Sequence, residues 1–264
     1  MVVSHNRAEL LRRCLDSLER SEGRETLQVI VIDNGSMDGS AQLEPEFPNI
    51  RFFRLPKNFG LTKAMNIGWR AAEADYILFL HEDTELEPQA IARLADVLDT
   101  RSDAAGVCPL LVDEAGRPAP QLGTLPPGGE FRPAEVGGSD PLPVDYPRGA
   151  ALMVRAFVIK STQKIDERYG QFGSDADLAA QIRRGGKKIL LVPAARARHE
   201  GRSGETPLRR ADFLLGQSVF ANKYFGFGAG LRTRLSSIFG PLVSFHWGEL
   251  RYTLSGQKID GTHQ

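Results

Sequence analysis

Acidic side chains follow two hydrophobic runs of the sequence and open a third, helical segment. The run "YILFL" leads directly into "HEDTE", which contains Asp83, and "VIVID" ends at Asp33. A third acidic group, "GSDAD", contains Asp175 and Asp177. In open α/β sheets, ligands bind in the crevice at the carboxyl ends of the strands. The sequence therefore predicts a ligand site to which these acids contribute.

Asp83 is a candidate metal ligand. Mg²⁺ and Mn²⁺ prefer oxygen ligands and often take only one or two carboxylates beside the phosphates of a nucleoside diphosphate. The imidazole of His81 lies two residues earlier and therefore points to the same side of an extended strand. We expect Glu82 and Glu85 to be solvated loop charges. His199 in "RARHEGRSGE" is a further candidate, either as a ligand or phosphate contact or as an ordinary packed histidine.

The other acids each have two interpretations. Asp33 can accept hydrogen bonds from a ribose or a base, or it can simply belong to the turn "NGSMDGS". Asp175 or Asp177 can cap a helix, where the dipole stabilises a carboxylate, or can act as a general base. No G-x-G-x-x-G follows the first strand, which argues against a nicotinamide-dinucleotide site.

The segments that carry these residues alternate between strand and helix. "MVVS" is interpreted as the end of a strand, and the helix "RAELLRRCLDSLER" follows it, with Ser4 and Asn6 available as caps. The runs "LQVIVIDN", "IRFFRL" and "YILFL" are predicted strands, while "LTKAMNIGWRAAEA" and residues 88–99 are predicted helices. Continuous apolar strands that alternate with helices predict a mostly parallel sheet with helices on both faces. The first half is therefore predicted to be a doubly wound α/β domain.

The second half begins with a Pro- and Gly-rich segment, residues 114–147. A loop of this length in a compact domain is usually functional or disordered. Order returns with "GAALMVRAFVI", the helix "DADLAAQIRRGG" and the strand "KKILLVP". Residues 206–264 are predicted to form a helical C-terminal extension that opens with "LRRADFLLGQSVFANKYF".

Composition excludes several classes of function. The 264 residues contain 33 Lys and Arg against 33 Asp and Glu, so no basic excess supports a nucleic-acid partner. Cys14 and Cys108 are predicted to be buried small hydrophobes in a reducing compartment. No signal peptide is evident and no run approaches the roughly 18 apolar residues of a membrane span, so we expect a cytoplasmic protein.

Six stretches occur in the order seen in family 2, inverting, GT-A-type glycosyltransferases, and the chain resembles the rhamnosyltransferase-like branch of that family. The stretches are "VVSHNRAELLRRCLDSL", "VIVIDNGSMDGS", "NFGLTKAMNIG", "YILFLHEDTEL", "RGAALMVRA" and "FGSDADLAAQIRRGGKKILLVPAARARHEGRS". The resemblance covers roughly residues 1–205. It implies a Rossmann-like nucleotide-diphospho-sugar transferase domain over residues 1–205, followed by the extension at 206–264.

The resemblance implies a set of nucleotide-binding residues. His5 replaces the tyrosine usual at the end of the first strand and can still stack on a base, while Asp33 matches the acid that holds the uracil or ribose. The full implied set is Ser4, His5, Asn6, Asp33, Asn58, Gly60 and Asn66.

The resemblance also implies a metal site in which His81, Glu82 and Asp83 stand for the DxD motif of the family. The first aspartate is replaced, so Asp83 is expected to be the principal ligand. His81 and His199 are expected to complete the site.

The acceptor side and the catalytic base are assigned in the same way. Arg148 and Gly149 match the acceptor-side segment of the family. The family's Glu-Asp pair reads Ser174-Asp175 here, so Asp175 is the expected catalytic base.

The implied activity is metal-assisted, inverting transfer of a sugar from dTDP-rhamnose or a UDP-sugar to a glycan or lipid-linked acceptor, as in cell-wall or polysaccharide biosynthesis. The expected cofactor is Mn²⁺ or Mg²⁺. The C-terminal extension is expected to contact the inner face of the membrane or a second copy of the chain.

Two alternatives remain open. The first is a catalytically degenerate nucleotide-sugar- or partner-binding protein, since His5, His81 and Ser174 all depart from the family pattern. The second is a nucleotidyltransferase, but those enzymes usually have a Gly- and Lys/Arg-rich loop after the first strand, which "SHNRAELL" lacks.

Overall fold

The computed structural model describes residues 1–128, 130–162, 164–201 and 206–259. Gly129 of the predicted loop, residues 202–205, and residues 260–264 of the predicted extension lie outside the described residues.

A large mixed sheet forms the centre of the molecule. Its order is β3-β2-β1-β4-β11-β6-β12-β5, with β9 paired to β12. Strands β1 to β4 pair in parallel, as do β6 and β12, whereas β11 is antiparallel to both β4 and β6. The strands are β1 Val2–Ser4, β2 Ile30–Asp33, β3 Arg51–Arg54, β4 Tyr76–His81, β5 Thr84–Leu86, β6 Ala104–Val112, β9 Leu142–Val144, β11 Ala151–Arg155 and β12 Lys188–His199.

The predicted Pro- and Gly-rich loop contains short strands. One of them, β9, joins the large sheet, and the other three form a small antiparallel sheet in the order β10-β7-β8. These three are β7 Pro120–Gly123, β8 Arg132–Pro133 and β10 Tyr146–Pro147. Pairing of Tyr146 with Gly123 fixes the chain just before Arg148. The segment therefore forms part of the framework beside the large sheet.

Eight α-helices accompany the strands within the described residues. They are α1 Ala8–Glu19, α2 Leu61–Arg70, α3 Ala90–Thr100, α4 Ala156–Thr162, α5 Ser174–Arg184, α6 Pro207–Phe225, α7 Phe227–Val243 and α8 Trp247–Ser255. Short 3₁₀ segments cover Arg24–Thr26 and Gly39–Glu46. No helix in the described part of the chain has both the length and the apolar character of a membrane span.

Helices cover both faces of the sheet. Successive strand residues point to opposite sides, so each strand contributes apolar side chains to both faces. In β4, Ile77 and Phe79 pack in a core shared with α5, whereas Leu80 packs in the core shared with α1 and α3. Strand β2 behaves in the same way, since Val31 faces the α1 side and Ile32 faces α2. The predicted mixed, mostly parallel sheet with helices on both faces is confirmed.

The start of α1 differs from the prediction. Neither Ser4 nor Asn6 caps this helix; its first amide, on Ala8, donates instead to Asp38 Oδ2 at 2.8 Å. Ser4 belongs to β1, and Asn6 has a positive φ of 52° that turns it toward the 36–38 turn. The carboxylate of Asp38, in the turn after β2, therefore caps the helix in place of Ser4 or Asn6, and it links this turn to α1.

Candidate active site

A cavity of about 280 Å³ lies at the carboxyl ends of the central strands. Ser4 at the end of β1, Asn34 after β2 and His81 at the end of β4 contribute to its lining. Because these strands are parallel, their ends meet at one edge of the sheet. The opposite side of the cavity comes from α5, α6 and the loop that precedes α5, which includes Phe172.

Three potential metal ligands meet in this cavity. His81 ends β4, Asp83 lies in the turn before β5, and His199 ends β12. Pairing of Thr84 with His199 across β5 and β12 brings the last two together. One ligand atom from each of the three residues lies within 4.8 Å of the others. Asp83 Oδ1 lies 3.3 Å from His199 Nε2 and 3.9 Å from His81 Nδ1.

The chemistry of this donor set fits a divalent transition metal. Two imidazole nitrogens and one carboxylate oxygen are ligands that Mn²⁺, Fe²⁺, Co²⁺ and Zn²⁺ accept, whereas Mg²⁺ prefers oxygen throughout. Asp83 and His199 are buried, while His81 is partly exposed. A metal held here would therefore keep an open side toward the cavity.

The two neighbouring glutamates are not the solvated charges that the sequence predicted. Glu82 is buried, and its carboxylate lies 3.8 Å from the guanidinium of Arg7. Glu85 is partly buried and pairs with Arg198 and Arg13. The prediction was wrong because β5 folds back along β12, so side chains that follow β4 are covered instead of reaching solvent.

Asp175 faces the cavity from the first turn of α5. Its Oδ2 accepts a hydrogen bond from the amide of Gly149 at 3.1 Å, and its Oδ1 lies 2.8 Å from the amide of Ala176. The buried Tyr146 lies near this carboxylate, and burial together with the charge of Asp175 raises the pKa of Tyr146. These contacts fix the orientation of Asp175.

Gly149 permits this arrangement. A Cβ at this position would lie 3.0 Å from Asp175 Cβ and 3.2 Å from its Oδ2, which is tighter than ordinary van der Waals contact. The backbone therefore approaches the carboxylate closely because residue 149 has no side chain.

Asp177 has a different environment, although it lies only two residues from Asp175. It is 1% exposed, and its carboxylate contacts Lys223 Nζ and the Tyr224 hydroxyl, each at 2.8 Å. Gln181 Nε2 donates to it at 2.7 Å. The residue pattern alone left the choice between the two aspartates open, and the resemblance pointed to Asp175. Asp175 lines the cavity, and Asp177 joins α5 to α6.

Arg148 enters the cavity beside Asp175. Its amide donates to the carbonyl of Gln121 at 2.7 Å, and its guanidinium lies 4.7 Å from the ring centre of Phe131. Burial lowers the pKa of Arg148, and the nearby carboxylates of Asp175 and Asp83 oppose that effect. One guanidinium therefore acts electrostatically on both carboxylates.

Four of the predicted nucleotide-side residues line the cavity: Ser4, His5, Asn58 and Gly60. His5 Nδ1 lies 3.0 Å from the carbonyl oxygen of Asn34. Asn58 Oδ1 accepts hydrogen bonds from Asn34 Nδ2 and from the amide of Gly60. These contacts join the end of β2 to the turn before α2.

The other three predicted nucleotide-side residues make internal contacts. Asp33 accepts from the amide of Ser36 at 2.9 Å, and Asn6 accepts from the amide of Met37 at 2.7 Å. Asn66 is buried and makes two hydrogen bonds to the backbone of Ile165. None of these three lies in the cavity lining within the described residues. They hold the segments that form the site.

Asp212 of α6 is a site-forming residue that no sequence motif singled out. Its Oδ2 accepts from the amides of Gln171 and Phe172 at 2.9 and 3.1 Å, and its Oδ1 accepts from the amide of Ile259 at 3.2 Å. All three donors belong to residues that line the cavity. Burial raises the pKa of Asp212 to about 6, against the opposing effect of these hydrogen bonds.

Sequence reasoning also missed Asn34, Phe131, Tyr146 and Phe213, which line the cavity. Asn34 directly follows the predicted acid Asp33, so its position at a strand end was available as a signal. Phe131 and Tyr146 lie in the Pro- and Gly-rich segment and Phe213 lies in α6, where no periodic pattern points toward the sheet edge.

A family model described as "Glycosyl transferase family 2" matches residues 1–157 of the chain. The chain is 32% identical over 108 residues to the succinoglycan biosynthesis protein ExoO of Rhizobium meliloti (strain 1021). This match covers 40% of this chain and 30% of that protein. The chain is 37% identical over 90 residues to an N-acetylglucosaminyltransferase of Mesorhizobium japonicum, covering 32% of this chain and 21% of the relative. The matches thus span less than a third of the length of these curated relatives.

Solved structures share the fold over more of the chain. A crystal structure of GalNAc-T7 with UDP, GalNAc and Mn²⁺ superimposes with a TM-score of 0.69 at 16% identity, over 96% of this chain and 55% of that one. Staphylococcus aureus TarS 1-349 in complex with UDP-GlcNAc gives a TM-score of 0.63 at 16% identity, over 84% of this chain and 65% of that one. At this identity the likeness concerns the fold, which matches the GT-A glycosyltransferase architecture.

Proposed function

The chain belongs to glycosyl transferase family 2, and from this membership we propose that it transfers a sugar from a nucleoside-diphosphate donor to an acceptor hydroxyl, with inversion at the anomeric carbon. The observation that carries the proposal is the presence of a candidate metal site and a candidate base in one cavity. His81, Asp83 and His199 supply the first, and Asp175 supplies the second.

The donor nucleotide is proposed to lie along the ends of β1 and β2. Ser4, His5 and Asn58 offer polar and aromatic surface there. Asp33 and Asn6 keep their predicted nucleotide-side role only indirectly, by holding the turn after β2, and Asn66 does so by holding the segment at Ile165. UDP-sugars are the first donors to test, since both structural neighbours were solved with UDP or UDP-GlcNAc. The predicted dTDP-rhamnose and the rhamnosyltransferase-like branch remain alternatives for the same site.

The diphosphate is proposed to bind beside Asp83, with His81 and His199 as the other metal ligands. A divalent cation bound there supplies charge neutralisation for the departing nucleoside diphosphate. The two imidazoles favour Mn²⁺ over Mg²⁺. Arg148 adds a fixed positive charge near the same carboxylate, which suits an anionic leaving group.

Asp175 is proposed to remove the proton from the acceptor hydroxyl. The amide of Gly149 holds its carboxylate, and the buried Tyr146 lies nearby. As the proton moves to Asp175, the acceptor oxygen bonds to the anomeric carbon and the bond to the diphosphate oxygen breaks on the opposite face. A single displacement of this kind inverts the centre and needs no covalent enzyme intermediate.

The acceptor is proposed to enter from the side that α6 and the segment 114–147 form. Phe213 of α6 and Phe131 of this segment line the cavity, as do Phe172, Arg148 and Gly149. A glycan or lipid-linked acceptor fits the polysaccharide-biosynthesis relatives. The domain boundary near residue 205 and the contact of the extension with a membrane or a second copy also remain proposals.

Binding and turnover can be tested separately. Thermal unfolding should be followed with UDP, dTDP, GDP and CDP, each with and without Mn²⁺. A ligand that binds only the folded protein at about 100 times its Kd stabilises it by about 2.7 kcal/mol. A Mn²⁺-dependent shift with UDP or dTDP is expected. Absence of any shift for the whole panel would favour the degenerate alternative.

Turnover should then be measured as release of nucleoside diphosphate in the presence of acceptor glycans. Asp175→Asn should lower kcat by 10²- to 10⁴-fold while the nucleotide-induced thermal shift is retained. Asp140→Asn, which alters an exposed aspartate outside the cavity, is the matched control and should behave as wild type. Retained turnover in Asp175→Asn would show that the base is assigned wrongly.

A further inference from the structure

Helix α7 turns its large apolar side chains away from the protein. Phe227 and Val243 are 77% and 75% exposed at its two ends, and Phe239 is 57% exposed near its C-terminal end. The residues that α7 buries against its neighbours are small: Gly230, Ser237 and Pro241. The exposed apolar residues of α7, here called the α7 face, are Phe227, Leu231, Leu235, Phe239, Leu242 and Val243.

This arrangement reverses the usual pattern, in which a surface helix buries its apolar stripe in the core. The first five of these residues recur at steps of three and four along α7, so they fall within an arc of about 120°. The buried residues of α7 lie on another side of the helix. On that side the backbone of α7 approaches α6 closely. A Cβ on Gly230 would lie only 2.5 Å from Asn222 Cβ.

Further exposed aromatic residues flank α7 along the chain. Phe225 precedes it, and Phe245 and Trp247 follow it, all strongly exposed. The rings of Phe245 and Trp247 lie 6.2 Å apart. Single exposed apolar residues are ordinary on a protein surface, but a contiguous group of this kind marks an interaction site. Aromatic residues such as Trp247 are typical of the membrane–water interface.

The positive charge of the C-terminal extension favours an anionic partner. The extension from residue 206 to 259 contains seven Lys and Arg against two Asp and Glu, although the whole chain is electrically balanced. Arg232 and Arg251 are exposed in α7 and α8, whereas the acidic Glu249 is partly covered beside His246. Arg232 follows Leu231 of the α7 face directly in the helix, so an anionic lipid surface would complement the positive charge beside this face.

We propose that the α7 face docks on an anionic lipid bilayer, with its apolar side chains at the boundary of headgroups and acyl chains and with Arg232 and Arg251 among the lipid phosphates. The helix lies in the interface in this arrangement. The inference does not rest on the proposed glycosyl transfer. Docking of α7 would place the cavity near the bilayer, because α7 packs on α6 and α6 lines the cavity through Phe213 and Gln217.

The test is co-sedimentation with sucrose-loaded vesicles of phosphatidylcholine alone or with 30% phosphatidylglycerol. Wild-type protein should bind the anionic vesicles and bind the neutral ones much less. The double variant Leu231→Ser with Phe239→Ser should lose at least tenfold in partition coefficient. Phe157→Ser is the matched control because Phe157 is 51% exposed on α4, outside the α7 face, and it should bind as wild type.

Charge reversal and a depth measurement complete the experiment. Arg232→Glu with Arg251→Glu should weaken binding to anionic vesicles by at least tenfold, and added salt should weaken wild-type binding. Brominated lipids should quench wild-type fluorescence, and this quenching should be lost in Trp247→Phe. Circular dichroism and the nucleotide-induced thermal shift report whether each variant is folded, independently of lipid binding.

Two results would overturn the proposal. The first is equal vesicle binding by wild type and the Leu231→Ser, Phe239→Ser variant. The second is absence of binding to either vesicle. If light scattering then gives a dimer for wild type and a monomer for the double variant, the α7 face is an interface between copies of the chain.

Discussion

Replacement of Asp212 by asparagine should remove a specific part of the pH dependence of stability. Burial raises the pKa of Asp212 from 3.8 to about 6 in the folded protein. Between these pH values the folded state holds a proton that the unfolded state has released. The contribution is therefore fully present below about pH 4 and is lost as the pH rises through about 6.

The magnitude follows from the shift. A difference of about 2 pKa units corresponds to about 3 kcal/mol in total. Between pH 4.5 and 7.5 the part that is lost is about 2 kcal/mol, since some of the change occurs below pH 4.5. In Asp212→Asn no ionisation occurs at this position, so the variant lacks this decline.

Urea unfolding of both proteins at half-unit steps from pH 4.5 to 7.5 measures the effect. The difference in free energy of unfolding between wild type and Asp212→Asn should change by about 2 kcal/mol over this range, with wild type relatively more stable at the acidic end. Asp140→Asn should run parallel to wild type. Parallel curves for Asp212→Asn as well would refute the reasoning, because they would mean that the three backbone amides keep this carboxylate ionised despite its burial.

Further predictions concern the site and its support. Gly149→Ala should lower kcat by about 100-fold with little change in melting temperature, because a Cβ 3.0 Å from Asp175 Cβ displaces the carboxylate; an unchanged kcat would contradict the proposed geometry. His199→Ala should raise the Mn²⁺ concentration that gives half of the Mn²⁺-dependent thermal shift by at least tenfold, whereas the shift with nucleotide alone should persist. Lys223→Met should cost about 3–5 kcal/mol of stability because it leaves Asp177 buried without its cation, whereas Lys160→Met on the exposed side of α4 should change stability by less than about 0.5 kcal/mol. Chemical denaturation of both lysine variants checks the comparison.

Local patterns predicted the sheet well. The alternation of apolar strands with amphipathic helices was sufficient to predict that β1 to β4 run parallel, which puts their polar ends on one edge. The antiparallel insertion of β11 between β4 and β6 was not predictable in this way. It depends on how residues 114–147 return to the sheet, and short strands such as β8 and β10 carry too few residues to show a period.

The site was predictable to the extent that it depends on strand ends. His81, Asp83 and His199 were predicted together, and the structure brings them within reach of one another. Spacing alone could not choose between Asp175 and Asp177, because the choice depends on how α5 docks against α6; the prediction of Asp175 came from the family resemblance. Two residues apart on a helix, the side chains point about 160° away from each other, and only the docking decides which one meets the cavity.

The contacts between Asp177 and the C-terminal helices matter for protein engineering. Its carboxylate is held by Lys223 and Tyr224, both contributed by α6. A chain cut after residue 205 would leave that charge facing open space or apolar surface, two residues from the proposed base. The helices after residue 206 therefore cannot be treated as a removable appendage when a minimal catalytic fragment is designed or when this domain is fused to another protein.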